Sequence, residues 1–197
     1  MRIRFAFCLA LACLLLPAVP SGATPVPSVT GRAEQYSPAG ADWEKSYVDA
    51  ARITIEKGVM SVMNGISSPE QLRDSVDYFC RTWDNWADSQ LFILQDDRDI
   101  DVYGNLYSLQ VMCRTLHLAA TDWHELENSA RSAATLEKAL ELENRSRLLA
   151  EPVAEIITRQ SYSAYLPRRV EIMKEQLPYV DEYYERNSFR SVMEARR

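Results

Sequence analysis

Four aspartates lie close together in the middle of the chain, in a stretch that ends with a glycine. They are Asp96, Asp97, Asp99 and Asp101, and Gly104 follows them. The loop of a helix-loop-helix calcium site begins with carboxylates at alternate positions, followed by a glycine. The stretch therefore has two interpretations, a weak calcium site or a solvated turn between two helices.

The calcium interpretation fails at the position that sets affinity. A loop that starts at Asp99 has Gly104 at its sixth position but the neutral Gln110 at its twelfth, where calcium loops carry a bidentate glutamate. A loop that starts at Asp97 has Ser108 at its twelfth position. Aspartate and glycine also favour turns, and acids before a helix complement its dipole. We therefore expect a solvated turn and assign no metal ligand.

The two histidines offer little for imidazole chemistry. His117 and His124 are seven residues apart, two turns along a helix, whereas helical metal pairs lie at i and i+4. Either histidine could still act with Asp122 or Glu125 in a carboxylate-dependent hydrolase or a metal-dependent enzyme. The chain has no GxSxG motif and no glycine-rich phosphate loop. We assign no catalytic or cofactor-binding residue, and the expectation leans against an enzyme.

The first 23 residues have the anatomy of a secretory signal peptide. Two arginines precede an apolar run over 5–16, and prolines precede the small residues 21–23. The run is too short to span a membrane. A lipoprotein box ending at Cys13 is the alternative, but it leaves three leucines of the run behind the cysteine. The sequence predicts cleavage after Ala23 and a secreted or periplasmic protein with no integral membrane segment after processing.

Removal of that segment makes the chain more acidic. Arg2 and Arg4 leave with it, so the formal net charge falls from −6 to −8. A surface that binds nucleic acid or anionic membrane is built from clustered lysine and arginine, and the basic residues here are spread among acids. We therefore expect no nucleic-acid partner.

Two cysteines remain in the processed chain, Cys80 and Cys113. An oxidising compartment favours their pairing, and no CxxC motif points to a redox or zinc site. A bridge that closes a loop of about 33 residues stabilises a fold by roughly 3–4 kcal/mol in the chain-entropy model. We predict a structural Cys80–Cys113 disulfide.

The elements that must position these residues are helices. Residues 24–40 are rich in proline, glycine, serine and threonine and predict a flexible lead-in to a single helical domain over 41–197. A first helix is predicted over 42–63, ending at Asn64 and Gly65.

The second helix has the clearest start signal. Ser68 is a serine N-cap, Pro69 stands at the first helical position and Gln71 completes a capping box. Apolar residues then recur at intervals of three and four, and the set includes one cysteine: Leu72, Val76, Phe79, Cys80, Trp83, Ala87 and Leu91.

Further helices follow the aspartates. Asn105 can cap a third helix, whose apolar stripe contains Cys113. Thr121 can cap a fourth, which is rich in alanine, glutamate and leucine and is predicted to end before Pro152. Two later prolines divide the rest of the chain into three shorter helical pieces. The predicted fold is all-α, an antiparallel bundle of about five or six helices with one disulfide.

Aromatic residues supply the remaining candidates. Trp83 and Trp86 share one side of the second helix. Tyr179, Tyr183 and Tyr184 lie close together near the end of the sequence. Half-buried aromatics either cover a core or form a contact surface for another protein. We take these five residues as a possible contact surface.

The function that this sequence favours is a non-catalytic module that binds another protein, of the inhibitor or neutraliser type. An acidic helical surface, aromatic residues available for contacts and the lack of a catalytic motif favour it. The alternatives are a carboxylate- and histidine-dependent hydrolase or metal-dependent enzyme, and a structural component of the cell envelope. No cofactor is expected.

Overall fold

Residues 42–93, 99–160 and 164–194 are described by the computed structural model, and they form helices joined by short turns. The predicted signal peptide and lead-in lie outside these residues. Seven helices, and no strand, occur in the described ranges: α1 (Asp42–Gly65), α2 (Pro69–Ile93), α3 (Asp99–Glu127), α4 (Ala130–Gln160), α5 (Tyr165–Gln176), α6 (Tyr179–Glu185) and α7 (Phe189–Glu194). The prediction of an all-α helical bundle is confirmed.

Helix α3 is the centre of the bundle. It packs against every other helix, most extensively against α4. Its buried side chains lie on all its sides, and they include Val102, Leu106, Val111, Leu116 and Trp123. A helix that is apolar all round belongs in a core rather than on a surface. The remaining helices therefore wrap around α3.

Helix α3 is longer than the sequence predicts at both ends. It begins at Asp99 instead of Asn105, because burial of Val102 and Tyr103 favours helix there. The predicted turn is therefore wrong from Asp99 onward, while Asp96 and Asp97 lie outside the described residues. The helix also continues through Thr121 to the last glutamate before the turn, so Thr121 does not start a new helix.

The turn between α3 and α4 contains the true stop and start signals. Asn128 has a positive φ of 46°, which ends α3 in the left-handed conformation that asparagine tolerates. Ser129 then caps α4: its Oγ accepts the N–H of Ser132 at 3.1 Å, and the Oγ of Ser132 accepts the N–H of Ser129 at 3.1 Å. This reciprocal cap pairs α3 and α4 as an antiparallel hairpin.

Pro152 does not end α4, contrary to the sequence prediction. The helix runs through this exposed proline to Gln160. A proline inside a helix removes one backbone hydrogen bond and costs about 3 kcal/mol against alanine. Ala150, Val153 and Ile157 on either side of it are buried. Their burial outweighs the cost of the proline.

Gly58 lies at a close contact between α1 and α3. A Cβ atom at this position would lie 2.8 Å from Cγ1 of Val111. The interior glycine, which otherwise disfavours helix, therefore allows the two helices to pack against each other.

The start of α2 agrees with the predicted cap. The N–H of Gln71 donates to Oγ of Ser68 at 3.3 Å. The side-chain oxygen of Gln71 accepts the N–H of Ser67 at 2.7 Å, one residue before the position predicted for the box. Backbone and Ser68 hydrogen bonds also lower the pKa of Glu70 in this first turn.

Three short helices complete the bundle. Helices α5 and α6 pack on α1 and α3, and α7 packs on α3. Pro167 lies in the first turn of α5, where backbone N–H groups have no helical partner, and Pro178 is the N-cap residue of α6. None of the described helices combines the length and the apolarity that a membrane crossing requires.

Candidate functional site

The two tryptophans of the predicted contact surface lie at the edge of the core. Trp83 is 8% exposed, and Trp86 is half-buried with its ring centroid 6.1 Å from that of Trp83. Trp83 therefore contributes to packing of α2, and only Trp86 retains surface that a partner could contact.

Tyr184 lies inside the bundle and connects α6 and α7 to α3 by hydrogen bonds. Its hydroxyl donates to Oδ2 of Asp122 on α3 at 2.7 Å and accepts the backbone N–H of Phe189 at 3.0 Å. Burial, followed by the Asp122 carboxylate, raises the pKa of Tyr184 well above its usual range. The same Asp122 oxygen accepts the N–H of Arg190 at 3.1 Å. Tyr184 is thus a structural residue.

Tyr179 and Tyr183 remain half-exposed on α6. Their ring centroids lie 6.1 Å apart. The Tyr179 hydroxyl donates to Oε1 of Glu56 on α1 at 3.0 Å, and this carboxylate raises the pKa of Tyr179. The guanidinium of Arg52 lies 5.1 Å from the Tyr179 ring centroid. These contacts hold Tyr179 against α1, while part of the surface of both tyrosines stays exposed to solvent.

An open groove lies between the end of α1 and residues 187–192. Its volume is about 500 Å³ and its lining is mostly apolar: Met60, Met63, Asn64, Asn187, Ser188, Ser191 and Val192. Met60 follows Glu56 by one helical turn, and the side chain of Asn187 donates to the carbonyl of Tyr183 at 3.1 Å. We treat Tyr179, Tyr183 and the groove as one candidate surface, which we call the α1–α6–α7 seam.

The five predicted contact residues are therefore not brought to one place. Helix α2, with the two tryptophans, packs mainly on α3 and α4, whereas α6 packs mainly on α1 and α3. The groove residues of α1 and α7 were missed by the sequence analysis, because nothing in the sequence indicates that residues 60–64 lie beside residues 187–192.

His117 belongs to an ion-paired cluster between three helices. Its Nδ1 makes a short hydrogen bond with Oε2 of Glu143 on α4. Arg114 donates to both Glu143 oxygens at 3.2 and 3.3 Å and to both Asp181 oxygens on α6 at 2.9 and 2.8 Å. Because a carboxylate only accepts, the contact places a proton on Nδ1 of His117.

The charges in this cluster stabilise one another. Hydrogen bonds to Asp181, followed by the charge of Glu143, raise the pKa of Arg114. Burial raises the pKa of Glu143, but the donors of His117 and Arg114 outweigh it and hold that pKa below its ordinary value. Arg114, Glu143 and Asp181 were missed by the sequence analysis, since their pairing joins residues far apart in the chain.

A histidine oriented by a carboxylate supplies two of the three members of a nucleophilic triad, and the third would be a nucleophile beside the histidine. Cys113 precedes His117 by one helical turn, but its side chain is fully buried. Burial raises the pKa of this thiol to about 12. Ser146 is buried, and its hydroxyl donates to the carbonyl of Glu143 at 2.7 Å. Neither group is available to attack a substrate beside His117.

His124 lies away from this cluster, at the turn between α3 and α4. Its Nδ1 is 3.0 Å from Oγ of Ser132, the serine of the reciprocal cap. Among the described residues, no group of three or more histidine, cysteine, aspartate or glutamate side chains is placed to hold a metal ion.

The two cysteines are free thiols near the α2–α3–α4 junction. Burial raises the pKa of Cys80, while Lys138 on α4 acts to lower it. Burial raises the pKa of Cys113, a hydrogen bond with Ser146 on α4 lowers it, and Glu143 and Cys80 raise it further by smaller amounts. Both thiols therefore lie near side chains of α4, and no bond joins them.

No protein-family model, no curated protein and no solved structure matches this chain.

Proposed function

We propose that this protein is an exported, non-catalytic module that binds another protein through the α1–α6–α7 seam and thereby inhibits or neutralises it. The observation that carries the proposal is the half-exposed pair of Tyr179 and Tyr183 next to an open, mostly apolar groove. Tyrosine and methionine are enriched at protein interfaces, and methionine adapts its shape to a partner.

The charge around the seam indicates what kind of partner fits. Glu182 and Glu185 are exposed on α6, the helix that carries the tyrosine pair. The chain as a whole is acidic, with a formal net charge of −6. A partner with a basic rim around an apolar protrusion is complementary to this surface. Binding is therefore expected to weaken as salt concentration rises.

The test is quantitative co-purification from the native host. Wild-type protein and a Tyr179→Ala/Tyr183→Ala variant are used as bait, and bound proteins are identified by mass spectrometry. The matched control is Tyr78→Ala, because Tyr78 is an exposed tyrosine on the remote helix α2. We expect a specific partner to be captured by wild type and by Tyr78→Ala, and to be lost with the double variant.

Two results would contradict the proposal. One is the absence of any specific partner across a range of salt concentrations. The other is equal capture by the double variant while circular dichroism shows that all three proteins are folded, since the partner would then bind elsewhere.

We further propose that Cys80 and Cys113 form a disulfide in the exported protein. The two thiols would be oxidised to one S–S bond while a disulfide of an exported thiol oxidoreductase is reduced to two thiols. Their common position against α4 and the effect of Cys80 on the pKa of Cys113 support this pairing. The bridge would join α2 to α3.

Mass spectrometry of the native, exported protein tests the bridge and the processing together. We expect a chain that begins at Thr24 and has two hydrogens fewer than the reduced form. Reduction should restore those two hydrogens and lower the melting temperature. Two alkylatable thiols in the unreduced protein, or a retained segment 1–23, would contradict the respective part of the proposal.

A carboxylate- and histidine-dependent enzyme is the second candidate, because His117 does contact Glu143. The same Glu143 carboxylate is also bound by Arg114, which favours a structural ion pair over a catalytic base. If the cluster were catalytic, His117→Gln would abolish a hydrolytic activity found in the purified protein. A broad screen of ester, amide and phosphate substrates provides that readout.

A further inference from the structure

Arg169 on α5 lies among aromatic rings at the surface of the bundle. Its guanidinium carbon is 4.6 Å from the ring centroid of Tyr47 on α1 and 5.6 Å from that of Tyr165. Trp43 packs edge-on against Tyr165, with ring centroids 4.7 Å apart. All four side chains are half-buried. The rings thus hold the guanidinium in place while solvent still reaches the group of side chains.

The charge of Arg169 is not compensated in the way that its neighbour's charge is. Arg168 forms ion pairs with three carboxylates, those of Glu44, Glu171 and Glu175, at 3.2, 3.2 and 2.9 Å. Within the described part of the chain, no carboxylate pairs with Arg169, and its Nε is buried without a hydrogen-bond partner. The ring faces offset only part of the cost of desolvating a guanidinium.

We propose that Arg169, together with Trp43, Tyr47 and Tyr165, forms a binding site for one carboxylate group attached to an apolar body. When aromatic rings contact the face of a guanidinium, its N–H groups still point outward in the plane of the guanidinium. A carboxylate can bind these N–H groups in a bidentate manner. The aromatic rings then contact the apolar body of the ligand.

The number of cations without a carboxylate partner at this site favours a carboxylate over a phosphate as the ligand. Phosphorylated ligands are recognised by clusters of arginine, whereas Arg168 beside this site already binds three carboxylates. One guanidinium matches the single charge of a carboxylate. Burial raises the pKa of Tyr47, while the charge of Arg169 and a hydrogen bond with its side chain act to lower it. The site is therefore partly desolvated, which strengthens an ion pair formed there.

This site is separate from the seam of the proposed function. On α1, Tyr47 of this site and Glu56, which accepts the Tyr179 hydroxyl, are nine positions apart, which is roughly 14 Å along the helix axis. The two proposals therefore succeed or fail independently. The carboxylate has two sources that share this chemistry, a small organic acid or the C-terminus of a peptide.

The experiment follows the four tryptophan indole N–H signals by NMR during titration of the purified protein. Trp43→Phe identifies the signal of Trp43. The probes are sodium benzoate, with sodium chloride at equal ionic strength as reference, and a short peptide ending in phenylalanine with a free or an amidated C-terminus. We expect saturable shifts of the Trp43 signal with benzoate or with the free-acid peptide, and none with chloride or the amidated peptide.

Matched variants assign the effect to Arg169. Arg169→Lys should weaken binding at least about tenfold, as expected for loss of a charge-assisted bidentate contact. Arg168→Lys, one residue away, should bind like wild type. Arg169→Gln provides a second test if the lysine variant unfolds. Absence of a saturable Trp43 shift with every carboxylate, or equal affinity in a folded Arg169 variant and wild type, would overturn the proposal.

Discussion

Gly58 is a residue at which helix propensity and packing act in opposite directions. Alanine would favour the helix by about 1 kcal/mol, but its Cβ would lie 2.8 Å from Cγ1 of the buried, β-branched Val111. Overpacking of a rigid core costs roughly 1–3 kcal/mol. We expect Gly58→Ala to lower the free energy of unfolding by up to about 2 kcal/mol in urea denaturation.

Two companions separate packing from propensity in that experiment. Gly65→Ala adds a Cβ that meets no atom within 4 Å, so it should be neutral or slightly stabilising. Adding Val111→Ala to Gly58→Ala should cost less than the sum of the two single changes. Strict additivity would show that the close contact does not decide the effect.

Glu143 makes the stability of the fold depend on pH. Its pKa is lower in the folded protein than in the unfolded chain, because the donors of His117 and Arg114 outweigh burial. Its stabilisation is therefore fully present well above about pH 4.3, the ordinary value for glutamate, and is lost as pH falls through the folded pKa. We expect Glu143→Gln to be less stable at neutral pH and to lose less stability on acidification, measured by urea denaturation from neutral to acidic pH.

The exposed Glu141 is the control for that measurement. It pairs with Arg145 one turn along the same helix. A surface pair of this kind contributes little, so Glu141→Gln should leave the acid dependence of wild type unchanged. If the stability of Glu143→Gln fell with pH as that of wild type does, the hydrogen bonds from His117 and Arg114 to Glu143 would not be the source of the acid dependence.

At the scale of elements, α7 is attached to the bundle by a few polar contacts. The Tyr184 hydroxyl accepts the N–H of Phe189 and donates to Asp122. Tyr184→Phe leaves the buried N–H of Phe189 without its acceptor, which costs about 1–3 kcal/mol. We expect faster amide exchange at Phe189, while Tyr183→Phe on the outer side of α6 should leave exchange at wild-type rates. Equal rates in Tyr184→Phe would show that apolar contacts alone hold α7.

Helix α4 carries a second element-scale prediction. Pro152 is exposed, so its replacement by alanine removes no buried surface and restores a backbone donor within the helix. We expect Pro152→Ala to raise the melting temperature and to stabilise the protein by at most about 3 kcal/mol. A lower melting temperature would mean that packing of Val153 and Ala154 depends on the local bend at the proline.

The ends of the helices show which local signals could be interpreted from the sequence. Ser68 with Pro69 and Gln71 is a complete cap signature, and α2 begins there. Asn128 and Ser129 are also a stop and a start signal, but the sequence analysis placed the start of the fourth helix at Thr121. Tertiary burial decides the other differences, since Val102 and Ile157 extend helices past local breakers.

At the scale of the whole molecule, the fold class was predictable and the sites were not. Apolar periodicity and caps are local, and they suffice for an all-α bundle. The His117 cluster joins Arg114 to Asp181, 67 positions away, and the seam joins the end of α1 to α7. Such pairings depend on how helices cross, which periodicity does not encode. Hence the sequence analysis named Tyr179 and Tyr183 but missed the methionines of the seam.

The central position of α3 has a consequence for how the chain is made. Synthesis delivers α1 and α2 before the helix against which both of them pack. Until the residues up to Glu127 have emerged, these two segments expose apolar side chains that α3 helps to cover in the folded protein. A nascent chain that stops at Ile93 lacks the central helix of the bundle. Folding of α1 and α2 is therefore completed only after α3 has been synthesised.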